Sequence, residues 1–304
     1  MNRNITLTGA NGFIGQKLFA RLIETGEKVT IFTRDQAIAK QKLKGAIQYV
    51  EWNYNSPERW KQYLCNQDAI IHLAGANLGA KRWSAAYKNE LVKSRINSTK
   101  NIVNVINNCH SKPSVFITAS ATGYYGNRGE ELLTEESLPG NDFLADLCFQ
   151  WEREAANIEK QNVRRISLRI GPVLSDKEGM LKKIITPYRL FLGGKFGNGR
   201  QWFPWIHIDD LINIFIYLLN NDFMRGPINC VSPGIVRMKD FSKELSRVLH
   251  RPSFIKVPEL VLKAAVGEIA NVILASQNVS EKKLVRSGFN FEFPDLKSAL
   301  RNLL

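Results

Sequence analysis

Short apolar runs alternate with amphipathic stretches through the first 175 residues of the chain. Ile5 to Thr8 opens as an apolar strand, and the amphipathic segment Gln16 to Thr25, closed by Gly26, reads as the helix that follows it. Lys28 to Arg34 (K-V-T-I-F-T-R) forms a second buried strand and Ile47 to Trp52 a third. Ser56 to Leu64 is expected to be helical, and Asp68 to Ala74 (D-A-I-I-H-L-A) is a fourth strand. Ser84 to Asn107 is a long helix with Leu91, Ile96, Ile102, Val103 and Ile106 on its apolar side. Ser114 to Ser120 supplies a fifth strand, the polar stretch Asn127 to Asp142 a surface loop, and Phe143 to Lys160 a further helix. Arg164 to Leu174 is the sixth strand and contains a Gly-Pro turn. Strands alternating with helices predict an α/β fold with a doubly wound parallel sheet.

Beyond Leu174 the pattern changes. Gly193, Gly194, Gly197 and Gly199 read as a flexible loop, followed by Q-W-F-P-W-I-H-I-D-D from Gln201 to Asp210. Asp209 and Asp210 precede an apolar run, so they either cap a helix or, with His207, belong to a reacting site. Helical patterns at Met238 to Leu249 and Pro258 to Ala275 describe a smaller, α-rich C-terminal lobe. The expected division is residues 1–175, with part of 200–225, as the doubly wound domain, and 176–304 as the substrate side and C-terminal lobe.

Composition narrows the class. A chain of 304 residues with 44% hydrophobic content can bury a large core. The net charge of +14 comes from 42 dispersed Lys and Arg against 28 Asp and Glu, with no basic block and no nucleic-acid motif. The charge therefore suits an anionic cofactor, and nucleic acid is not an expected partner. No apolar run approaches the roughly 20 residues that cross a bilayer, and the N-terminus lacks a signal-peptide pattern. A cytoplasmic location without a membrane partner is expected. Cys65, Cys109, Cys148 and Cys230 are scattered, with no C-x-x-C pair, so they read as reduced thiols with neither a disulfide framework nor a metal site.

The chemistry begins at Gly9, Gly12 and Gly15, spaced G-x-x-G-x-x-G between a strand and a helix. Backbone amides can approach a pyrophosphate there without Cβ interference. At the end of the second strand, Thr33 and Arg34 bring a hydroxyl and a guanidinium suited to a ribose 2′-phosphate, which favours NADP(H) over NAD(H). The alternatives are that Asp35 serves the ribose or that Arg34 is a surface residue. His72 reads as structural, and Arg95 either turns toward a ligand phosphate or forms a surface ion pair. After the fifth strand, Ser120 and Thr122 are placed to hydrogen-bond a substrate carbonyl or hydroxyl, and Tyr124 and Tyr125 to exchange a proton; otherwise this is a polar turn with two packing aromatics.

Five motifs in register, T-G-A-N-G-F-I-G at 8 to 15, H-L-A-G at 72 to 75, S-A-T-G-Y-Y-G at 120 to 126, L-R-I-G-P-V-L at 168 to 174 and W-I-H-I-D-D at 205 to 210, resemble the extended short-chain dehydrogenase/reductase superfamily. The tail, with G-P-I-N-C-V-S-P and K-K-L-V-R-S-G-F-N-F, resembles its atypical branch of NAD(P)-dependent epimerase-like proteins with a distinctive C-terminal domain. The resemblance implies a cofactor site at Gly9, Asn11, Gly12, Phe13, Ile14, Gly15, Thr33, Arg34, Leu73, Ala74, Gly75, Arg169, Gly171 and Pro172. It also implies oxidoreductase or epimerase activity on a small molecule, a sugar nucleotide or carbonyl compound. The superfamily uses a Tyr-x-x-x-Lys pair, yet none of the eight tyrosines here has a lysine four residues later. Taking Glu152 as the usual downstream glutamate, the pair's positions hold Leu144 and Cys148. Tyr124 or Tyr125 is then the expected donor, with His207 and Cys148 as substitutes. The competing expectation is a non-catalytic NADPH-binding sensor or regulatory protein.

Overall fold

The structure is a computed structural model that describes residues 2–304. Seven strands, β1 (Asn4–Thr8), β2 (Lys28–Thr33), β3 (Gln48–Glu51), β4 (Ala69–His72), β5 (Val115–Ala121), β6 (Arg164–Ile170) and β7 (Gly226–Cys230), form one sheet in the order β7-β6-β5-β4-β1-β2-β3. All pairings are parallel; Thr8 of β1 stands between Phe32 of β2 and His72 of β4. The order reverses at β1, and the crevice between the carboxyl ends of β1 and β4 is the place where such sheets hold a ligand.

Helices α1 (Phe13–Glu24) and α2 (Gln36–Lys42) follow β1 and β2. Helices α3 (Ala85–Val92) and α4 (Ser98–Asn107) are joined by a π-turn at Lys93–Asn97, and α5 (Phe143–Ala156) follows β5. Next come α6 (Met180–Arg189) and α7 (Ile208–Leu219), which packs beside α1. Leu18, Leu22, Leu211 and Phe215 from α1 and α7 bury one face of the sheet, and Ile102, Ile106 and Ala155 from α4 and α5 help bury the other. Covered on both faces, the strands are nearly continuous in apolar residues, which made them legible as strands.

The lobe contains α6 together with α8 (Met238–Leu249), α9 (Glu259–Val266), α10 (Ile269–Leu274), α11 (Lys282–Arg286) and α12 (Leu296–Leu303). Its core gathers Leu181, Ile185, Trp205, Phe241, Leu245 and Leu300. No helix among the described residues is long and apolar enough to cross a membrane.

Several stretches depart from the expected pattern. Ser56 to Leu64 forms two 3₁₀ turns rather than a helix, with Trp60 fully buried between Phe32 and Trp52 and its indole N–H donating to Asn53 O (2.8 Å). The sixth strand leaves the sheet at Gly171, where a Cβ would collide with the Pro204 carbonyl, and Val173–Leu174 pairs instead with Ile206–His207. The last sheet strand begins at Gly226, inside the stretch assigned to the lobe. The glycine-rich stretch is not a plain loop either: Gly194–Phe196 pairs with Ile255–Val257. Gly267 divides the expected final helix into α9 and α10.

The cysteines require a correction. Cys65 and Cys109 are joined as a disulfide, with their Cα atoms 5.5 Å apart, whereas Cys148 and Cys230 are free and buried. The segment before β4 meets the turn after α4 at the amino edge of the sheet, where Asn66 N–H donates to Ser111 O (3.3 Å). A sequence separation of 44 residues with no motif concealed that meeting.

Candidate cofactor and substrate site

At the end of β1 the chain turns through Gly9, in the left-handed region at φ 73°. A Cβ there would lie 2.7 Å from the Leu73 carbonyl carbon and 2.8 Å from Ala74 N, and one on Gly15 would collide with Gly9 O. The glycine loop is thus pressed against the end of β4, and α1 begins close to β1. Gly12 caps α1 with no side-chain hydrogen bond, so the first-turn amides are free of a side-chain cap. Phe13 and Ile14, half-buried, open the helix.

The end of β2 is held to this loop by Asn11, whose Nδ2 donates to the Thr33 hydroxyl (2.9 Å). Asn11 Oδ1 is buried and has no hydrogen-bond partner. Asp35 accepts the Ile38 N–H (2.9 Å) and caps α2, which engages the carboxylate that was the alternative ribose contact. Arg34 is exposed and has neither an ion pair nor a side-chain hydrogen bond among the described residues. A cradle that any Cβ would fill, an orphaned acceptor and an unpaired guanidinium together fit a phosphate-bearing dinucleotide.

Leu73, Ala74 and Gly75 continue from β4 along the crevice; the Leu73 N–H donates to Thr8 O and the Ala74 N–H to Thr8 Oγ1, both at 3.3 Å. His72 is fully buried between Thr8 Oγ1 (2.7 Å) and Ser98 Oγ (3.0 Å). Burial, assisted by the Arg95 charge, lowers its pKa to about 3, so it is a neutral structural group. Arg95 lies over Gly75 and is 9% exposed; it is no surface ion pair.

Beyond β5 the residues divide into two sets. Ser120 Oγ donates to Glu152 Oε1 (2.7 Å), and Glu152 also receives Arg169 through Nε and Nη2, each at 2.9 Å. Arg169 Nη1 donates to the Tyr125 hydroxyl (3.0 Å) and to Glu135 O (3.1 Å), and the Tyr125 hydroxyl in turn lies 2.6 Å from Asn229 Oδ1. Ser120, Tyr125 and Arg169 are thus buried and engaged with one another through Glu152 and Asn229. Burial pushes the Tyr125 pKa up to about 12 against the pull of Arg169. Arg169, read from sequence as a cofactor contact, has four of its five donors' bonds inside this network.

Thr122 and Tyr124 form the second set. Both lie on the buried 3₁₀ turn Thr122–Tyr125, and Tyr124 is coupled to that network through Arg169. Arg169 sits 3.5 Å from the Tyr124 ring centroid; burial raises the phenol pKa while that cation opposes it. At the family's dyad positions, Leu144 packs onto Gly123 so closely that a Cβ there would lie 2.5 Å from Leu144 Cδ2. Cys148 is buried, and burial followed by Glu152 raises its thiol pKa to about 12, leaving it protonated.

The remaining candidates lie where the lobe joins the sheet. Gly171 N–H donates to Cys230 O and Pro172 O accepts the Ile206 N–H, both at 3.1 Å. His207 accepts the Asp209 N–H through Nδ1 (3.1 Å), caps α7 and stacks on Phe293 at 3.9 Å; burial lowers its pKa to about 4. Asp210 accepts the Glu292 and Phe293 amides (2.7 and 3.0 Å), so W-I-H-I-D-D fastens the C-terminal segment. The cap is therefore His207, with both aspartates in the first turn. Asn229 and the anchoring role of Asp210 had no local sequence signal, since their partners lie about 80 or more residues away.

Comparison with known proteins agrees with this geometry. The NAD dependent epimerase/dehydratase family matches residues 5–230, and a domain of unknown function, DUF1731, matches 257–303. An epimerase family protein of Staphylococcus saprophyticus is 38% identical over 304 residues, covering 99% of each chain. The human epimerase family protein SDR39U1, solved with NADPH, has a TM-score of 0.89 at 28% identity and covers 99% of this chain and 98% of that one. The nucleoside-diphosphate sugar epimerase of Corynebacterium glutamicum has a TM-score of 0.80 at 30% identity, covering 100% of this chain and 58% of that one. With the motifs, the sheet order and the tail all accounted for, the chain belongs to the NAD dependent epimerase/dehydratase family and has its NAD(P)-binding Rossmann fold.

Proposed function

We propose that the protein is an NADP(H)-dependent oxidoreductase of the epimerase type, acting on a small carbonyl- or hydroxyl-bearing molecule through a proton-transfer site on the turn after β5. The observation that carries the cofactor assignment is the exposed, unpaired Arg34 beside a Thr33 fixed by Asn11, with Asp35 engaged in capping α2. The human relative solved with NADPH supports it. A bound nicotinamide would supply hydride exchange. The glycine loop and the α1 amides would hold the pyrophosphate, Thr33 and Arg34 the 2′-phosphate, and Leu73 to Gly75 the wall beside it. Thr122 orients the substrate oxygen and Tyr124, protonated at neutral pH, donates to it.

The substrate is an anionic one of the sugar-nucleotide class. Lys81 lies on the loop that carries Gly79, and Lys183 Nζ of α6 is 3.7 Å from where a Gly79 Cβ would stand. The name of the Corynebacterium glutamicum relative points the same way. Native mass spectrometry of protein purified without added cofactor should show bound NADP(H) and any second ligand. With a panel of carbonyl and sugar-nucleotide substrates, Tyr124→Phe should slow NADPH oxidation by about 10² or more. Absence of NADP(H) binding refutes the cofactor reading. Tight binding without turnover on any panel member favours the second reading, a non-catalytic NADPH sensor, for which the buried Leu144 and Cys148 at the dyad positions are the specific support.

A further inference from the structure

We infer that Arg95 is the cationic contact for the nicotinamide half of the cofactor, replacing from the α3–α4 junction the lysine that α5 lacks at Cys148. The inference rests on the reading that the crevice holds a nicotinamide dinucleotide. Arg95 lies in the π-turn Lys93–Asn97, a local irregularity often found at functional positions. Its guanidinium reaches the carboxyl end of β4: a Cβ on Gly75 would lie 3.1 Å from its Cζ, 3.2 Å from Nη2 and 3.3 Å from Nε. Gly75 follows Leu73 and Ala74, the pair pressed against Gly9, so the charge stands beside the glycine loop's own neighbours.

The surroundings leave this charge without a counter-charge. Nη2 donates to Ala76 O (2.9 Å) and Nη1 to Leu91 O (3.3 Å), both neutral carbonyls, and the Trp151 ring centroid is 5.3 Å from Cζ. The ionisable groups that sense it are the Cys148 thiol, the Tyr87 phenol and the His72 imidazole, all neutral at pH 7. No carboxylate pairs with it among the described residues. Arg169, also buried, is gripped by both oxygens of Glu152, so the chain neutralises one interior arginine and leaves the crevice one unpaired. A buried guanidinium without an anion is costly, and it can only donate. Ribose hydroxyls and phosphate oxygens are acceptors of the required kind. Trp151 and Cys148 lie one turn apart on α5, which places the cation beside the position where the family's lysine would begin.

Calorimetric titration of the full chain with NADPH and with adenosine 2′,5′-bisphosphate, which carries the 2′-phosphate but no nicotinamide half, tests this. Arg95→Met should weaken NADPH about tenfold or more while changing bisphosphate affinity less than about twofold. Its ligand-free melting temperature should change little, because removal of an unpaired buried charge offsets the two lost bonds to carbonyls. Arg95→Lys should recover part of the NADPH affinity. The inference is overturned if NADPH affinity stays within about twofold of wild type, if both ligands weaken alike, or if the ligand-free variant melts several degrees lower. It is equally overturned if the lysine variant binds NADPH no better than the methionine variant. Wild-type protein that binds neither ligand refutes the cofactor reading itself.

Discussion

Replacing Arg34 with alanine isolates the 2′-phosphate contact. The side chain is exposed and without a protein partner, so its removal leaves no buried group unsatisfied and should not change stability. A phosphate monoester carries about −1.5 to −2 charges near neutral pH. One unit pair at about 4 Å is worth about 1 kcal/mol in bulk water and about 4 kcal/mol at an effective dielectric constant of about 20. Exposure places Arg34 toward the weaker limit, and the phosphate charge brings the contact to about 2 kcal/mol, or about 30-fold in Kd. Titration with NADPH and NADH should show that Arg34→Ala weakens NADPH by this factor and leaves NADH within about twofold. Raising ionic strength from about 0.1 to about 1 M shortens the screening length from about 10 to about 3 Å and should erode the wild-type preference for NADPH. Equal weakening of both cofactors, or an unchanged NADPH affinity, would refute the reasoning.

The fold should lose stability in acid through two histidines. Burial holds His72 at about 3 and His207 at about 4, below the ordinary 6.5, so the unfolded chain takes up protons at these sites before the native chain does. Their contribution is complete above about pH 6.5 and falls with pH by up to about 1.4 kcal/mol per unit for each group until the native values are reached. Denaturant melts at pH 7 and 4.5 should show the decline, and His207→Asn, which keeps a capping side chain, should flatten it; an unaltered slope excludes His207 as a source. The Cys65–Cys109 link closes a segment of 44 residues and by chain entropy stabilises by up to about 4 kcal/mol. Reduction, or Cys65→Ser, should therefore lower the melting temperature, and indifference to reductant shows that the link contributes nothing.

What was legible in the sequence follows from where the determining interactions lie. β1, β2, β4 and β5 are buried on both faces, so each is a local apolar run that needs no partner to be recognised. Gly9 and Gly15 were legible because backbone approach excludes every other residue there. Gly226 and Pro227 fall in the stretch expected to be an α-rich lobe, yet they begin β7, because its pairing with β6 is set by the register of Ile228 beside Leu168 across 60 residues. The paired and unpaired arginines look alike in sequence: Arg169 belongs to a network and Arg95 to the crevice because Glu152 on α5 faces one of them only. The same limit separates Tyr124 from Tyr125. They are adjacent in the chain, and Arg169 meets both, while the long-range contact to Asn229 engages only the second.

That separation bears on the direction of the proposed chemistry. In the superfamily's dyad, lysine lowers the tyrosine pKa so that the phenol can lose a proton as well as give one. Here Cys148 is neutral, and Tyr124 is raised by burial despite the Arg169 guanidinium over its ring. Glu152 shares that guanidinium through a bidentate bond, and its negative charge raises Tyr124 further. A phenol in this setting remains protonated at neutral pH and gives up its proton only as negative charge develops on a neighbouring oxygen. Carbonyl reduction creates that charge, whereas alcohol oxidation needs a base that the Thr122–Tyr125 turn does not contain. If Tyr124 is the donor, the site is therefore better matched to reducing a substrate with NADPH than to oxidising one, and a reversible epimerisation would require a second group to take the proton back.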